Sequence, residues 1–237
     1  MAPIDAVSPS SGLPPGETSP LHQALHARLR DGAAALGLTL DAQALARLDA
    51  YSTLLQQWGQ KINLTAIPLD DPMRIAVQHF VDSLACVAQL PPVSALPSRE
   101  LIDVGSGAGF PGVLCALMRP ELRVTLVERV GKKAAFLMTL RRELGLSYVV
   151  ESCDAERLIA ADAGQGFGVA VSRAALPPPR WLELGRRLVA PGGYVLAMMN
   201  DREAVPQAAD CTCLAESKYD IAGGPRRIIT WQRRIAR

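Results

Sequence analysis

Glycine recurs at short intervals in LIDVGSGAGFPG, the segment that covers residues 101–112. Its branched apolar start predicts a buried strand, and a glycine-rich turn from a strand into a helix is a nucleotide-binding element. Gly107, Gly109 and Gly112 have the G-x-G-x-x-G spacing of dinucleotide sites. Gly105, Gly107 and Gly109 have the G-x-G-x-G spacing of S-adenosylmethionine (AdoMet) sites. The glycine spacing alone does not decide between a dinucleotide and AdoMet.

Acidic residues near the ends of the predicted strands help to distinguish the two ligands. Glu128 ends a predicted strand 23 residues after Gly105, where a carboxylate accepts hydrogen bonds from ribose hydroxyls in either class of site. Asp103 lies two residues before Gly105, where dinucleotide folds usually have an apolar residue, and it could interact through water with a cationic ligand. Asp154 follows the third strand, where an adenine amine is often bound. These acids favour AdoMet over NAD.

Strands and helices alternate from residue 100 onward. Strands are predicted at 100–104, 123–128, 147–151, 167–172 and 193–199, with helices that begin near 111, 131, 154 and 178. Because parallel strands need such crossovers, the pattern predicts a parallel sheet with helices on both faces. The runs CTCLAESKYDI and RRIITWQRR have no helical pattern between them and predict an antiparallel pair. The expected fold is α/β, a Rossmann-like seven-stranded sheet.

A small helical region precedes this sheet. Two helical patterns fill residues 20–59, and a third helix is predicted from Asp71 and Pro72, a cap followed by a first-turn proline. We therefore expect a helical N-terminal region at 21–98 and the sheet domain at 99–237. The Pro, Ser and Gly content of residues 1–20 predicts a disordered leader.

Composition excludes several classes of protein. No segment approaches the ~18 uninterrupted apolar residues of a membrane span, and the N-terminus lacks the pattern of a secretory signal. The five cysteines form no C-x-x-C pair, which disfavours a zinc site or a disulfide framework and suits the cytoplasm. Residues 99–237 hold twenty Lys or Arg against fifteen Asp or Glu. This moderate basic bias permits a polyanionic partner.

Five segments together carry a resemblance to a known family: LLQQWGQKINLTAI, HFVDSLA, LIDVGSGAGFPG, ERVGKKAAFLMTLRRELGL and VSRA. In this order they closely resemble the bacterial small-subunit rRNA guanine-N7 methyltransferases, historically called glucose-inhibited division protein B. The resemblance implies an AdoMet-dependent methyltransferase domain that methylates N7 of one guanine in 16S rRNA. We expect it to act in the cytoplasm on rRNA or the small ribosomal subunit, as a monomer, with no metal and no membrane partner.

The resemblance also implies which residues form the site. The residues that would border the cofactor, with Asp103 and Glu128, are Gly105, Gly107, Gly109, Phe110, Ala155, Glu156 and Arg173. The residues that would form the catalytic pocket are Asn63, His79, Asp82 and Arg173. A buried helix pair is the alternative for His79 and Asp82, and a turn cap for Asn63. Because guanine N7 carries no proton, orientation rather than a general base should suffice.

Two features concern RNA binding. The helix after Glu128 carries four basic residues, which either contact phosphates or form a solvated face: Lys132, Lys133, Arg141 and Arg142. The family usually has a lysine followed by glycine at the end of the fifth strand, whereas this chain reads Met198-Met199-Asn200. Any RNA contact of that lysine must therefore be absent or supplied elsewhere.

Other classes of function remain open at this point. A small-molecule AdoMet methyltransferase would keep the glycine loop without needing a basic face. A non-catalytic ribosome-assembly factor would keep the basic surface without turnover. The glycine spacing is compatible with an NAD enzyme, but the positions of Asp103 and Asp154 favour AdoMet.

Overall fold

The computed structural model describes residues 20–161, 166–221 and 224–235. The predicted leader lies outside the described residues, apart from Pro20. The N-terminal helices span Pro20–Ala35 (α1), Ala42–Gly59 (α2), Pro72–Ile75 (α3) and Asp82–Ala88 (α4), with a π-helical turn at Ala76–Val81 between the last two. Asp41 caps α2 by accepting from the Ala44 N–H at 2.7 Å, and Asp71 caps α3. The predicted helical region is therefore present, and the π-helical turn is an addition to it.

The rest of the chain forms the seven-stranded sheet that the sequence predicts. Its strands are Glu100–Val104 (β1), Arg123–Val127 (β2), Tyr148–Glu151 (β3), Phe167–Arg173 (β4), Val189–Asn200 (β5), Cys211–Ile221 (β6) and Gly224–Arg233 (β7). The order across the sheet is β3-β2-β1-β4-β5-β7-β6. The first five strands pair in parallel, and β7 is antiparallel to both of its neighbours. The α/β topology is thus confirmed.

The crossover helices are Gly112–Met118 (α5), Gly131–Leu144 (α6), Glu156–Ala161 (α7) and Pro178–Leu188 (α8). Their starts agree with the prediction to within two residues. β5 begins at Val189, whereas the sequence predicts a start at residue 193. The prediction is wrong because the Pro-Gly-Gly at 191–193 is typical of a turn. In the structure Val189 pairs with Phe167 across an irregularity in the β4–β5 ladder. Tertiary pairing therefore overrides the local turn signal.

One apolar core joins the helical region to the sheet. Leu45 and Phe80 from the helices belong to the same buried cluster as Leu101 and Leu126 from β1 and β2. The second face of the sheet is covered by α8, whose buried Trp181 donates its indole N–H to the Leu196 carbonyl at 3.0 Å. The division at residue 98 is therefore a change of secondary structure within a shared core. None of the described helices is both long and apolar enough to cross a bilayer.

Tyr51 in α2 connects the helical region to the glycine loop. Its side chain is fully buried, its hydroxyl donates to the Ala108 carbonyl, and its ring stacks on Phe110 at a centroid distance of 5.1 Å. Phe80 packs against the same two rings, with centroid distances of 5.3 and 5.8 Å. The conformation of the loop is therefore held from the helical side.

We expect Tyr51→Phe to lower the free energy of unfolding by about 1–2 kcal/mol, because a buried carbonyl loses its donor. Urea titration measures this change. The matched control is Tyr194→Phe, since the Tyr194 hydroxyl has no hydrogen bond among the described residues, and it should be close to neutral. Equal effects of the two substitutions would contradict the role assigned to the Tyr51 hydroxyl.

Candidate active site

Two adjoining clefts open where the parallel strands end. One, of about 540 Å³, is lined by residues that include Glu128 and Asp154, and we call it the β2-side cleft. The other, of about 510 Å³, is lined by residues that include Phe110 and Met198, and we call it the β5-side cleft. They share a wall made of Gly105, Gly107, Lys133, Arg173, Ala174 and Leu176. The carboxyl ends of strands in open α/β sheets are where ligands bind.

The β2-side cleft gathers most of the residues expected at the cofactor: Gly105, Gly107, Glu128, Ala155, Glu156 and Arg173. The Glu128 carboxylate accepts from the Gly107 N–H at 2.9 Å and from the Val130 N–H at 2.8 Å, one bond on each oxygen. Each oxygen therefore keeps acceptor capacity. Glu128 both fixes the loop and can accept a ribose hydroxyl.

The three glycines after β1 serve different purposes. A Cβ added at Gly107 would lie no closer than 3.8 Å to any neighbour, whereas one at Gly105 would collide with Ala175. A Cβ at Gly109 would lie 2.6 Å from the Tyr51 hydroxyl and from Val113. Gly109 borders neither cleft, so packing accounts for it, and Gly107 is the glycine that leaves space for a ligand.

Asp103 lies beneath the loop rather than in a cleft. It is fully buried, its Oδ2 accepts from the Gly112 N–H at 3.0 Å, and its Oδ1 has no partner among the described residues. Burial raises its pKa to about 7, against the lowering effect of its hydrogen bonds. The structure thus gives Asp103 a contact with the first residue of α5. Its expected water-mediated contact with a cofactor remains a prediction.

Arg173 is the centre of a hydrogen-bond network at the shared wall. Its Nη1 donates to Asp82 Oδ2 at 3.1 Å and to the Gln78 carbonyl at 3.3 Å, and its Nη2 donates to His79 Nδ1 at 3.1 Å. The guanidinium carbon also lies 4.9 Å from the centroid of the Phe110 ring. Arg173 therefore contacts two other expected catalytic residues, His79 and Asp82, which lie more than 90 positions before it in the sequence.

Tyr219 in β6 completes this network and was missed from the sequence. Its hydroxyl donates to Asp82 Oδ1 at 2.7 Å, so that each oxygen of Asp82 has a partner. Tyr219 also lines the β5-side cleft. Only the order of the strands brings it there, and no local motif marks it.

His79 is held as a neutral ring. It is fully buried and stacks on Phe110, with a centroid distance of 4.6 Å and an interplanar angle of 11°. Burial, and next the charge of Arg173, lower its pKa to about 3. Because Nδ1 accepts from Arg173, the ring proton lies on Nε2, which has no partner among the described residues. His79 is therefore suited to orienting Arg173 rather than to transferring protons.

The expected RNA contacts are dispersed. Lys133 borders both clefts, whereas Lys132 is exposed and borders neither. Arg141 donates to the Tyr148 carbonyl at 3.0 Å, and Arg142 pairs with Glu143 at 2.9 Å. These local bonds give Arg141 and Arg142 an intramolecular role, and their contact with phosphates stays a prediction.

The remaining expected residues lie at the β5-side cleft or near it. Asn63 is exposed and borders neither cleft, but the segment that follows it, residues 64–67, forms one wall. Met198, Met199 and Asn200 line the same cleft. Arg226, opposite Asn200 in the β5–β7 ladder, donates to the Asn200 side-chain oxygen and also lines the cleft. A cation therefore borders this cleft from the neighbouring strand.

The chain is similar in sequence to a named family. The family model described as rRNA small subunit methyltransferase G matches residues 44–227. The ribosomal RNA small subunit methyltransferase G of Anaeromyxobacter sp. (strain Fw109-5) is 38% identical over 229 residues, which cover 90% of this chain and 100% of that protein. The protein of the same name from Burkholderia pseudomallei (strain 668) is 41% identical over 200 residues, which cover 82% and 84%.

Solved structures share the fold. Magnesium protoporphyrin IX methyltransferase (ChlM) from Synechocystis PCC 6803, with bound SAM, superposes with a TM-score of 0.54 at 15% identity, over 82% of this chain and 98% of that chain. Cofactor-bound Rv0187 from MTB superposes with a TM-score of 0.54 at 16% identity, over 83% and 92%. At such low identity these similarities show a common Rossmann-like architecture.

We expect Asp103→Asn to change how stability depends on pH. The folded chain raises the pKa of this carboxyl from 3.8 to about 7. Between these values the folded state holds a proton that the unfolded state has released, so the contribution of Asp103 to stability is lost as pH rises. Asparagine keeps an acceptor for Gly112 without titrating. Relative to the parent, the variant should be more stable at pH 7.5 than at pH 4.5, by at most roughly 4 kcal/mol. Urea titrations at the two pH values that give equal differences would contradict this.

Proposed function

Because the chain belongs to the rRNA small subunit methyltransferase G family, and so is an AdoMet-dependent enzyme that methylates small-subunit ribosomal RNA, we propose that it acts on N7 of a guanine. AdoMet would occupy the β2-side cleft and the guanine the β5-side cleft. The observation that carries this proposal is the shared wall, because it brings the contents of the two clefts together beside Arg173.

The β2-side cleft suits AdoMet for physical reasons. Glu128 offers acceptor lone pairs at the end of β2 for the ribose hydroxyls, and Asp154 can accept from the adenine amine. Gly107 leaves the space that a side chain would fill. Bound AdoMet supplies a methyl group that is open to in-line displacement. The rest of the chemistry is binding and orientation.

The β5-side cleft suits a purine base. Phe110, Met198 and Met199 give it an apolar wall, and Asn200 provides polar groups at its edge. The chain needs no general base here, because guanine N7 carries a lone pair and no proton. The neutral His79, whose Nδ1 accepts from Arg173, is consistent with that requirement.

Arg173 would orient the guanine. Its three hydrogen bonds use three of the five guanidinium N–H groups, which leaves two without a partner among the described residues. Since N7 must stay free to attack, we propose that these donors contact O6 or a cofactor oxygen. Asp82 neutralises the charge of Arg173 and holds it in place.

The RNA backbone would lie over the rim of the clefts. Lys133 and Arg226 border the β5-side cleft and can pair with phosphates, and the exposed Asn63 lies beside its wall. We propose that the enzyme acts as a monomer. We also propose that the enzyme acts in the cytoplasm, where five unpaired cysteines are expected to stay reduced.

The direct test is transfer of labelled methyl from AdoMet to naked 16S rRNA and to the small ribosomal subunit, with the modified nucleoside identified by mass spectrometry. We expect 7-methylguanosine at a single site. Retained AdoMet binding without incorporation into either RNA substrate would favour a small-molecule methyltransferase. Subunit binding without turnover would favour an assembly factor. Calorimetry with NAD in place of AdoMet tests the remaining alternative.

Gly107→Leu should abolish AdoMet binding, because the side chain would fill the space beside the loop. The matched control is Gly145→Leu. Both glycines have positive φ, +57° and +59°, and neither has a close neighbour, but Gly145 caps α6 away from the clefts. The two variants therefore carry similar backbone strain. Calorimetric titration that gives the same AdoMet affinity for both would contradict the placement of the cofactor.

Tyr219→Phe should slow methyl transfer roughly tenfold, because a hydrogen bond to the charged Asp82 is lost and Arg173 is held less firmly. AdoMet affinity should change little, since Tyr219 does not border the β2-side cleft. Single-turnover rates and calorimetry separate the two quantities. Tyr194→Phe again serves as the control, and an unchanged rate in Tyr219→Phe would show that Asp82 holds Arg173 unaided.

A further inference from the structure

Two of the three histidines of the chain meet an aspartate far from the clefts. His22 and His26 lie in α1 and Asp49 lies in α2. The Nε2 atoms of the two rings are 3.1 and 2.7 Å from Asp49 Oδ2. One ligand atom from each of the three residues lies within 4.8 Å of the others. None of the three borders either cleft.

The spacing in the sequence explains how the histidines converge. Residues four apart in a helix lie on the same face, so the two imidazoles of α1 are stacked one turn apart, with ring centroids separated by 4.3 Å. Both present Nε2 to the neighbouring helix. Histidine pairs with this spacing are effective ligands for transition metals, because one helix turn preorganises both nitrogens.

The contacts with the two histidines leave one oxygen of the Asp49 carboxylate without a partner among the described residues. Both Nε2 atoms approach the same oxygen, Oδ2, while Asp49 Oδ1 is enclosed and has no partner among the described residues. Buried carboxylate oxygens usually have partners. An ion among the three side chains would bind both ring nitrogens and one carboxylate oxygen, and its charge would also stabilise the enclosed second oxygen. The unpartnered oxygen is thus an observation independent of the convergence of the histidines.

The donor set suits zinc, and two of the three distances between ligand atoms are within a few tenths of an ångström of those in a zinc site. Two imidazole nitrogens with one carboxylate leave a fourth tetrahedral position for water. Metal–ligand bonds of about 2.0–2.1 Å place tetrahedral ligand atoms about 3.3 Å apart, compared with the 2.7 and 3.1 Å observed between the nitrogens and Oδ2. Small rotations of partly exposed side chains supply the difference.

We propose that His22, His26 and Asp49 bind a divalent transition-metal cation of the zinc class, which holds α1 against α2, although the sequence alone predicts no metal. The bound ion acts on stability rather than on catalysis. α1 also packs closely on the π-helical turn, because a Cβ added at Gly32 would lie 2.6 Å from Val81. Holding α1 in place therefore supports the segment that carries His79.

The test uses the full chain, freed of any polyhistidine tag and treated with chelator. Titration with Zn²⁺ should show one equivalent bound, and saturating Zn²⁺ should raise the Tm by roughly 5 °C. His22→Gln and His26→Gln should each lose both effects. His22 is about one-third exposed, so its variant should fold even if His26→Gln does not, and circular dichroism without metal checks this.

Cysteine is the competing ligand that must be excluded. Cys213 is the exposed cysteine of the chain, and Cys213→Ser should retain the bound equivalent. Co²⁺ substitution should give visible absorption without the intense near-ultraviolet band of thiolate ligation. Zinc binding that survives in either histidine variant, or that is lost in Cys213→Ser, would overturn the proposal. Failure of the parent chain to bind Zn²⁺ would overturn it as well.

Discussion

The ion pair between Arg173 and Asp82 is the interaction on which the arrangement of the site depends. Both side chains are largely buried, and a buried charge is strongly destabilising unless it is paired and hydrogen-bonded. Arg173 comes from the end of β4, Asp82 from the helical region, and the Tyr219 hydroxyl that donates to Asp82 from β6. Satisfying one charge therefore requires three separate parts of the chain to meet at one point.

Phe110 is the second common element, and it links the glycine loop to that ion pair. Its ring stacks on the rings of Tyr51 and His79, and the guanidinium carbon of Arg173 lies 4.9 Å from its centroid. The helical region therefore does more than bury one face of the sheet. It supplies both stacking partners of Phe110, and in doing so it fixes the position of the loop relative to the arginine.

Local signals in the sequence predict the alternation of strands and helices, because apolar periodicity, caps and glycines are short-range properties. The same signals identify Gly107 and Glu128, which lie at strand ends. They do not reveal Tyr219 or Arg226, whose places depend on how β6 and β7 join the sheet. Nor do they show that Asp103 is buried or that the helix before Asp82 contains a π-helical turn. What the sequence leaves open is set by long-range packing.

The wall common to the two clefts has a thermodynamic consequence. A molecule seated in either cleft lies against Gly107 and Arg173 and so becomes part of the surface that the other molecule meets. If occupancy of one cleft changes the affinity of the other, the coupling free energy is the same in both directions. For the proposed placement of AdoMet and guanine, whatever the cofactor adds to the affinity for RNA, the RNA adds to the affinity for the cofactor.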